Sequence, residues 1–506
     1  MTREVETGNI FLHINFTYGD RTVTDVIPRS DLNRSGLMKL QAKGADVFED
    51  SVKCLIQCLK DQEKELEIQN VHAGLGWHKA QRPDAPEKNM MVFRNPYIKS
   101  LDSSYQGIFD IQPKGSFQKW INMVNDCVVG TNLELALVLG FSSVLNGYLS
   151  DSLDVKNLFV HLFGDSSTGK STALQLAVSV AGNPAQTENS LLLTWNSTGN
   201  ALIRSMGDNN GYPVAIDEAS MSNDDSFTQL IFQLSGGLEK KRLKKDLSMN
   251  TSQTFCTTII SSGEHSLISK SKKTSGLKTR LIEFDSLELT TSSEHAEAVK
   301  KIVKHNYGHA IQPFVDYVKT FKRKELLEQL EQFRSIYKEK SSVNDGLVNR
   351  ISTKYAVILL TAKLVRECFE FDIKRKRILN ILVENERHME SRDIGILAYE
   401  CLMQYATINK SCFLSENNCC PTKTFGCFQR AKSPKVIDGQ TYNNELVFIS
   451  SHCASVLKSQ GFEDVNVVMK NLRAKGLLIC EPDRLVNKRK LGKDASPVSV
   501  YIFPVQ

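Results

Sequence analysis

Apolar and polar positions alternate with a period of two in NIFLHINF and RTVTDVI, within residues 8–27, and the turn Tyr18-Gly19-Asp20 between them predicts a hairpin. From residue 31 to about 67 the spacing lengthens and predicts helices, so a compact α+β unit opens the chain. Residues 70–104 are rich in turn formers around the apolar patch MMVF, and Arg82-Pro83-Asp84-Ala85-Pro86 reads as an exposed loop. A helix is expected over 117–125 and a buried one over 135–149. The unbroken apolar run NLFVHLF at 157–163 then reads as a strand covered on both faces, as in the parallel sheet of an α/β domain. Residues 290–390 have helical period, and 409–441, full of Ser, Asn, Cys, Pro and Gly, reads as a long loop or linker. SSHCASVLKSQGF, VNVVMKNLRAKGLL and VSVYIFPV then spell helix, turn, helix and closing strand. The expected division is an N-terminal α+β domain at 1–115, an α/β core with a helical lid at 116–390, and a linker with a small C-terminal domain at 391–506.

A chain of 506 residues has room for about three domains. With 41% hydrophobic and 24% charged residues, its composition excludes a collagen-like or wholly disordered chain. The N-terminus lacks the basic and apolar regions of a signal peptide. The 135–149 run is too short and too interrupted by Gly, Ser and Asn to span a bilayer. These readings point to a cytoplasmic protein with no membrane partner. The twelve cysteines are then expected as free thiols. Cys412, Cys419, Cys420 and Cys427, with Cys401, His388 and His452 nearby, are the one group with zinc-ligand chemistry, but no CxxC pair occurs there, and free thiols are the preferred reading.

Directly after the apolar strand stands GDSSTGKS, followed by a helical TALQLAVSVAG. This is a complete GxxxxGK[ST] in strand-loop-helix context. In Gly164, Asp165, Ser166, Ser167, Thr168 and Gly169 the glycines let successive N–H groups curl toward phosphates. Lys170 reaches the β/γ-phosphates, Ser171 ligates Mg²⁺, and Thr172 continues the helix whose N-terminus faces the anion. The site therefore calls for ATP and Mg²⁺. A triphosphatase of this kind also needs an acid for the magnesium and a base for water. The strand YPVAIDE supplies Asp217 for the first and Glu218 for the second. A third strand, FCTTIISS, places Ser262 or Ser261 to touch the γ-phosphate or the attacking water.

The stretches HLFGDSSTGKSTALQLA, TWNSTGNAL, VAIDEAS, IISSGEHSL and GLKTRLIEFD together resemble the MCM-like AAA+ helicases of mobile genetic elements, the Cch-type proteins of staphylococcal cassette chromosomes. The resemblance is strong over about 70–290. It implies a ring-forming, hexameric, ATP-driven DNA helicase acting on single-stranded and forked DNA with element-encoded replication partners. Arg280 resembles the arginine finger, although Leu281, Ile282 and Glu283 stand before Phe284-Asp285 where the family has an Arg-Phe-Asp context. Arg350 resembles the sensor-2 arginine of the lid, and Ser262 stands where sensor 1 is commonly asparagine.

The net charge of +6 is modest, but ten Lys or Arg face only three acids between residues 239 and 280. Lys240, Lys241, Arg242, Lys244 and Lys245 fall where MCM-like rings carry a pore hairpin; the alternative is a solvated loop. The C-terminal pattern has the grammar of a winged helix, with Lys470 and Arg473 on its second helix and Lys488, Arg489 and Lys490 on the wing, serving DNA or a protein contact. The same motifs also fit a non-motor AAA+ switch or loader that binds DNA and a replication partner. A primase-helicase fusion is disfavoured, since residues 1–115 hold no recognisable acidic metal constellation.

Overall fold

A computed structural model of the chain describes residues 1–82, 85–95, 103–153, 155–219, 227–238, 253–270, 277, 279–341, 346–390, 394–415, 423–437, 439–462, 464–481, 483–491 and 496–505. It opens with strands β1 (Thr2–Glu4), β2 (Ile10–Tyr18) and β3 (Arg21–Pro28), helices α1 (Arg34–Met38) and α2 (Val52–Glu63), and strands β4 (Gln69–His72), β5 (Leu75–Arg82), β6 (Ala85–Arg94) and β7 (Ser104–Tyr105). The expected hairpin is β2–β3, paired from Phe11↔Pro28 to Tyr18↔Arg21. Strand β1 joins it to β4 in a sheet of order β3-β2-β1-β4-β7, packed on Leu37, Leu40 and Val52 of the helical stretch.

Residues 75–94 correct the expected turn-rich connector: they form the antiparallel hairpin β5–β6, closing at Arg82↔Ala85. Residues 83–84 of the expected loop lie outside the described residues. The alternation was hard to read because few of its positions carry large apolar side chains. Trp77 and Phe93 pack edge to face with centroids 5.1 Å apart, and the Trp77 Nε1–H donates to the Val144 carbonyl at 2.9 Å. The core around the central sheet thus reaches back across residue 115.

Helix α3 (Phe117–Met123) runs into a π-helical turn at Val124–Val128 and then α4 (Leu133–Leu149). Leu133–Ser152 is long and apolar enough to cross a membrane, yet 89% of its apolar window is buried inside the fold. Its polar residues bond internally: Ser142 Oγ to the Leu139 carbonyl at 2.7 Å, Ser143 Oγ to the Gly140 carbonyl at 2.7 Å, and Asn146 Nδ2 to the Thr257 carbonyl at 3.0 Å. A helix apolar on all sides belongs in a core, and its hydroxyls cost little once bonded.

Then follow β8 (Leu158–Phe163), α5 (Lys170–Ser179), β9 (Leu192–Thr194), α6 (Gly199–Ser205), β10 (Asn209–Asn210), β11 (Val214–Asp217), α7 (Phe227–Gly236), β12 (Thr258–Ser262), α8 (Leu267–Lys270) and β13 (Leu281–Asp285). Strands β13-β8-β12-β11-β9 form one sheet, parallel throughout. All six residues of β8 are buried, because α4 and α5 cover one face of the sheet while α6 and α7 cover the other. β10 pairs with β5 and ties the β5–β6 hairpin to this unit.

The helical stretch resolves into α9 (Ser293–Val303), α10 (Ile311–Lys319), α11 (Arg323–Ser341), α12 (Gly346–Phe369) and α13 (Arg375–Glu390). The chain ends with α14 (Ile394–Ile408), β14 (Phe413–Leu414), β15 (Gly426–Ile437), β16 (Gln440–Ile449), α15 (Ser450–Ser459), α16 (Val465–Ala474), β17 (Asn487–Arg489) and β18 (Val498–Val505), with sheet order β14-β15-β16-β18-β17. Much of the expected linker over 409–441 is therefore strand. Most of β15 is partly or fully exposed, so no apolar face marked it in the sequence. Cys419 and Cys420 lie outside the described residues, and no group of three or more His, Cys, Asp or Glu able to hold a metal occurs among the described ones.

Candidate active site

The motif loop joins the buried end of β8 to the first turn of α5. Gly164 and Gly169 hold φ of 123° and 87°. A Cβ on Gly164 would come within 2.5 Å of Ser286 Oγ, and one on Gly169 within 2.6 Å of Thr290. Glycine is required at both positions by backbone angle and by space. Ser167 also adopts a left-handed φ of 71°. Asp165, Ser166, Ser167 and Ser171 are exposed, Thr168 and Lys170 are half-buried, and Thr172 is buried as the helix enters the core. Lys170 Nζ donates to the Gly164 carbonyl at 2.9 Å and to the Asp165 carbonyl at 2.5 Å. Burial lowers its pKa, against the nearby Glu264, Asp165 and Asp217.

Asp217 ends β11 and is buried, 8% exposed. It accepts a hydrogen bond from the hydroxyl of Ser262, the last residue of β12. The Glu218 N–H donates to Asp217 Oδ1 at 3.1 Å, leaving the exposed Glu218 side chain beyond the strand end. Glu218 holds φ at 67°, in the left-handed region that non-glycine residues rarely occupy; such strain clusters at functional sites. The geometry separates the two serines. Ser262 faces Asp217, whereas Ser261 Oγ accepts from Trp195 Nε1 at 2.9 Å and lies 3.0 Å from His161 Nδ1 within the core.

Lys170, Ser171, Asp217, Glu218 and Ser262 meet around a cavity of 520 Å³ at the carboxyl edge of the sheet, where parallel α/β sheets hold their ligands. Glu264 and, from α9, Lys300 also line it. The sequence reading did not assign Lys300, which lies in no motif and carries an ordinary i,i+3 pair with Glu297 at 3.1 Å. The residues present suit a triphosphate and Mg²⁺: a glycine cradle at a helix N-terminus, the loop lysine Lys170, and the hard oxygens of Ser171 and Asp217.

Arg280 is elsewhere. It precedes β13, whose Leu281 pairs with Phe159 while Asp285 pairs with Phe163, the residue before the motif loop. At about 3.3 Å per residue, the sheet holds it roughly 20 Å along the strands from its own Gly164. The exposed Arg280 guanidinium stacks 4.8 Å above the Phe232 ring. Its carbonyl accepts from Lys354 Nζ of α12 at 2.5 Å. Burial, and then the charge of Arg280, push the Lys354 pKa down to about 7. These groups line a second cavity of 830 Å³, with Lys156, Glu331 and Arg334, at the amino edge of the sheet. Lys354 was not anticipated, because a lysine in a helical run reads as solvated until its neighbours in space are known. Arg350 lies on α12, one turn before Lys354; its side chain is outside what is described.

Lys240, Lys241, Arg242, Lys244 and Lys245 lie outside the described residues. The described residues flanking them, Leu238 and Thr254, form an antiparallel bridge. Lys470 and Arg473 are exposed on α16, and Lys488, Arg489 and Lys490 are exposed on and just after the edge strand β17. Asp464 caps α16, its side chain accepting from the Val467 N–H at 3.1 Å.

The sequence matches a family described as a domain of unknown function, DUF927, over residues 1–254, and the Cch helix turn helix domain over residues 393–506. No curated protein matches it. Among solved structures it is similar to the SCCmec type IV Cch, described as an active helicase, with 25% identity and a TM-score of 0.76 over 100% of this chain and 92% of that one. With the first match spanning half of the chain and the structural likeness running its whole length, the chain belongs to the DUF927 family and groups with the Cch-type helicases.

Proposed function

We propose that the chain is an ATP-driven DNA helicase, an AAA+ motor working as a hexameric ring in the cytoplasm with element-encoded replication partners. The observation that carries this reading is the meeting of Lys170, Ser171, Asp217, Glu218 and Ser262 at one cavity, with Arg280 at the opposite edge of the same sheet. Residues 1–115 supply an N-terminal α+β part whose β5–β6 hairpin joins the core, 116–390 the AAA+ core and lid, and 391–506 a region ending in a winged helix.

In this reading the loop N–H groups and Lys170 hold the phosphates of ATP, and Ser171 and Asp217 hold Mg²⁺, which neutralises charge on the phosphates when bound. Glu218 takes the proton of the attacking water. Its carboxylate stands free of the strand while its N–H is pinned to Asp217. Ser262 orients Asp217 and reaches toward the γ-phosphate. Arg280 faces away from its own loop, so it serves the nucleotide of the next subunit, where its charge offsets what develops in the transition state. Arg350 is assigned to the lid as its sensor. The lysine-rich 240–245 segment is assigned to DNA phosphates by its charge alone, and α16 with β17 contacts duplex DNA.

The test is ATP-dependent strand displacement on a forked duplex by the purified chain. Displacement with ATP, and none with Glu218→Gln, is expected. DNA binding and ATP hydrolysis without displacement would move the protein to the switch or loader reading.

A further inference from the structure

The segment expected as a linker holds a feature that the helix-turn-helix reading does not use. Strands β15 and β16 pair from Gly426↔Phe448 to Ile437↔Gln440, but β18 accompanies β16 only from Ile449 to Asn444. Beyond Asn444 the two strands run on as a bare ribbon. The pairing breaks between Arg430 and Lys435, where β15 carries extra residues including Lys432 and Pro434, and a proline is tolerated at such a bulge. A two-stranded ribbon alone is only marginally stable in water. This one is fastened at one place. Lys435 Nζ donates to the Gly476 carbonyl at 2.7 Å, and Ile437 packs beside Gly476 and joins the C-terminal apolar cluster.

Gly476 lies just past α16, so the ribbon crosses the end of the second helix of the helix-turn-helix unit. The exposed Arg430 and Lys432 of the ribbon are thereby added to the exposed Lys470, Arg473 and Lys475 of α16 and its end. Only one acid, Asp438, occurs in the sequence from 430 to 444. Glu445, where the ribbon meets the sheet, accepts from Gln429 Nε2 at 2.8 Å. The distal ribbon buries little: Val436 is 67% exposed. Packing does not account for a strand pair of this length, whereas a basic arm beside a groove-reading helix matches the spaced phosphates of a duplex.

We propose that the β15–β16 ribbon is a second DNA-contacting arm of the C-terminal unit, with Arg430 and Lys432 on the backbone phosphates of double-stranded DNA while α16 lies against the groove. The proposal rests on the reading of that unit as a DNA binder. Lys435 is its structural fastening and is left intact in the test.

The full-length chain is titrated against a short blunt duplex across a salt series, as wild type, as Arg430→Glu with Lys432→Glu, and as Lys470→Glu with Arg473→Glu. The ribbon variant is expected to bind about tenfold more weakly. Its slope of log affinity against log salt should fall by about 1 to 2, since each lost phosphate contact removes about 0.9. ATP hydrolysis without DNA and the thermal midpoint should match wild type. If the α16 variant weakens binding and the ribbon variant keeps wild-type affinity and slope, the ribbon proposal is overturned and the helix-turn-helix reading stands. If neither variant changes duplex binding, both are overturned. If only the ribbon variant weakens, the arm stands as a DNA contact and α16 is removed from it.

Discussion

The two edges of the central parallel sheet share the same strands and carry opposite chemistry. At the carboxyl edge, β8, β11 and β12 end in a glycine cradle, an aspartate, a strained glutamate and a serine hydroxyl, mostly contributed within a few residues of a strand end. At the amino edge a larger cavity is lined by Lys156, Arg280, Arg334 and Lys354 against Glu331. The first edge sets Lys170 and Lys300 among Asp217, Glu218, Glu264 and Glu297; the second is predominantly cationic. In the proposed reaction a magnesium-bound triphosphate draws on both, and strand length keeps them apart within one chain. Under the proposed function the catalytic set is divided between these two surfaces, and a neighbouring copy is what would bring them together.

The comparison breaks most sharply at the carboxyl edge. Lys170→Ala should lose nucleotide binding outright. Glu218→Gln should still bind ATP in an equilibrium titration yet turn over about 100- to 10,000-fold more slowly, the usual contribution of a positioned base. Wild-type turnover in Glu218→Gln would remove the base from this edge.

The amino edge yields a smaller effect, read in stability. Lys354 is buried among Lys156, Arg280, Arg334 and Glu331, with its pKa pushed down to about 7. The unfolded chain holds this proton up to the ordinary lysine range. Between about pH 7 and that range it therefore binds more protons than the native state, and stability rises with pH. Below pH 7 the cost is constant. From pH 7 to pH 9 the wild type should gain roughly 2 kcal/mol relative to Lys354→Met in denaturant unfolding. Parallel stability curves for the two proteins would mean that the lysine is not desolvated.

The sequence made the two edges unequally legible. The carboxyl edge could be read because its parts lie in one contiguous motif and at the ends of two apolar strands, where spacing alone fixes proximity. Between Ser261 and Ser262 only the structure decides, since strand alternation sends one to the core and the other to Asp217. The amino edge was legible only at Arg280, through a family resemblance; Lys354 reaches it from a helix some seventy residues later in the chain. The strands of 75–94 and 426–437 were missed for a common reason. Few positions of 75–94 carry large apolar side chains and most of 426–437 is exposed, so the alternation of each has little apolar signal. The helix 135–149, the apolar strand and the C-terminal helix pair were legible because burial there follows the period of the element.

Mixing two defective proteins tests the divided site most directly. Arg280→Ala should bind ATP at its own loop and hydrolyse it about a thousandfold more slowly or worse, and Lys170→Ala keeps its arginine but not its loop lysine. When differently tagged forms of the two are mixed and shown to co-purify, some interfaces pair an intact loop with an intact Arg280. ATP hydrolysis should then rise above that of either protein alone. Co-purifying mixed assemblies that stay as inactive as their components would contradict the account and return Arg280 to a role within its own chain.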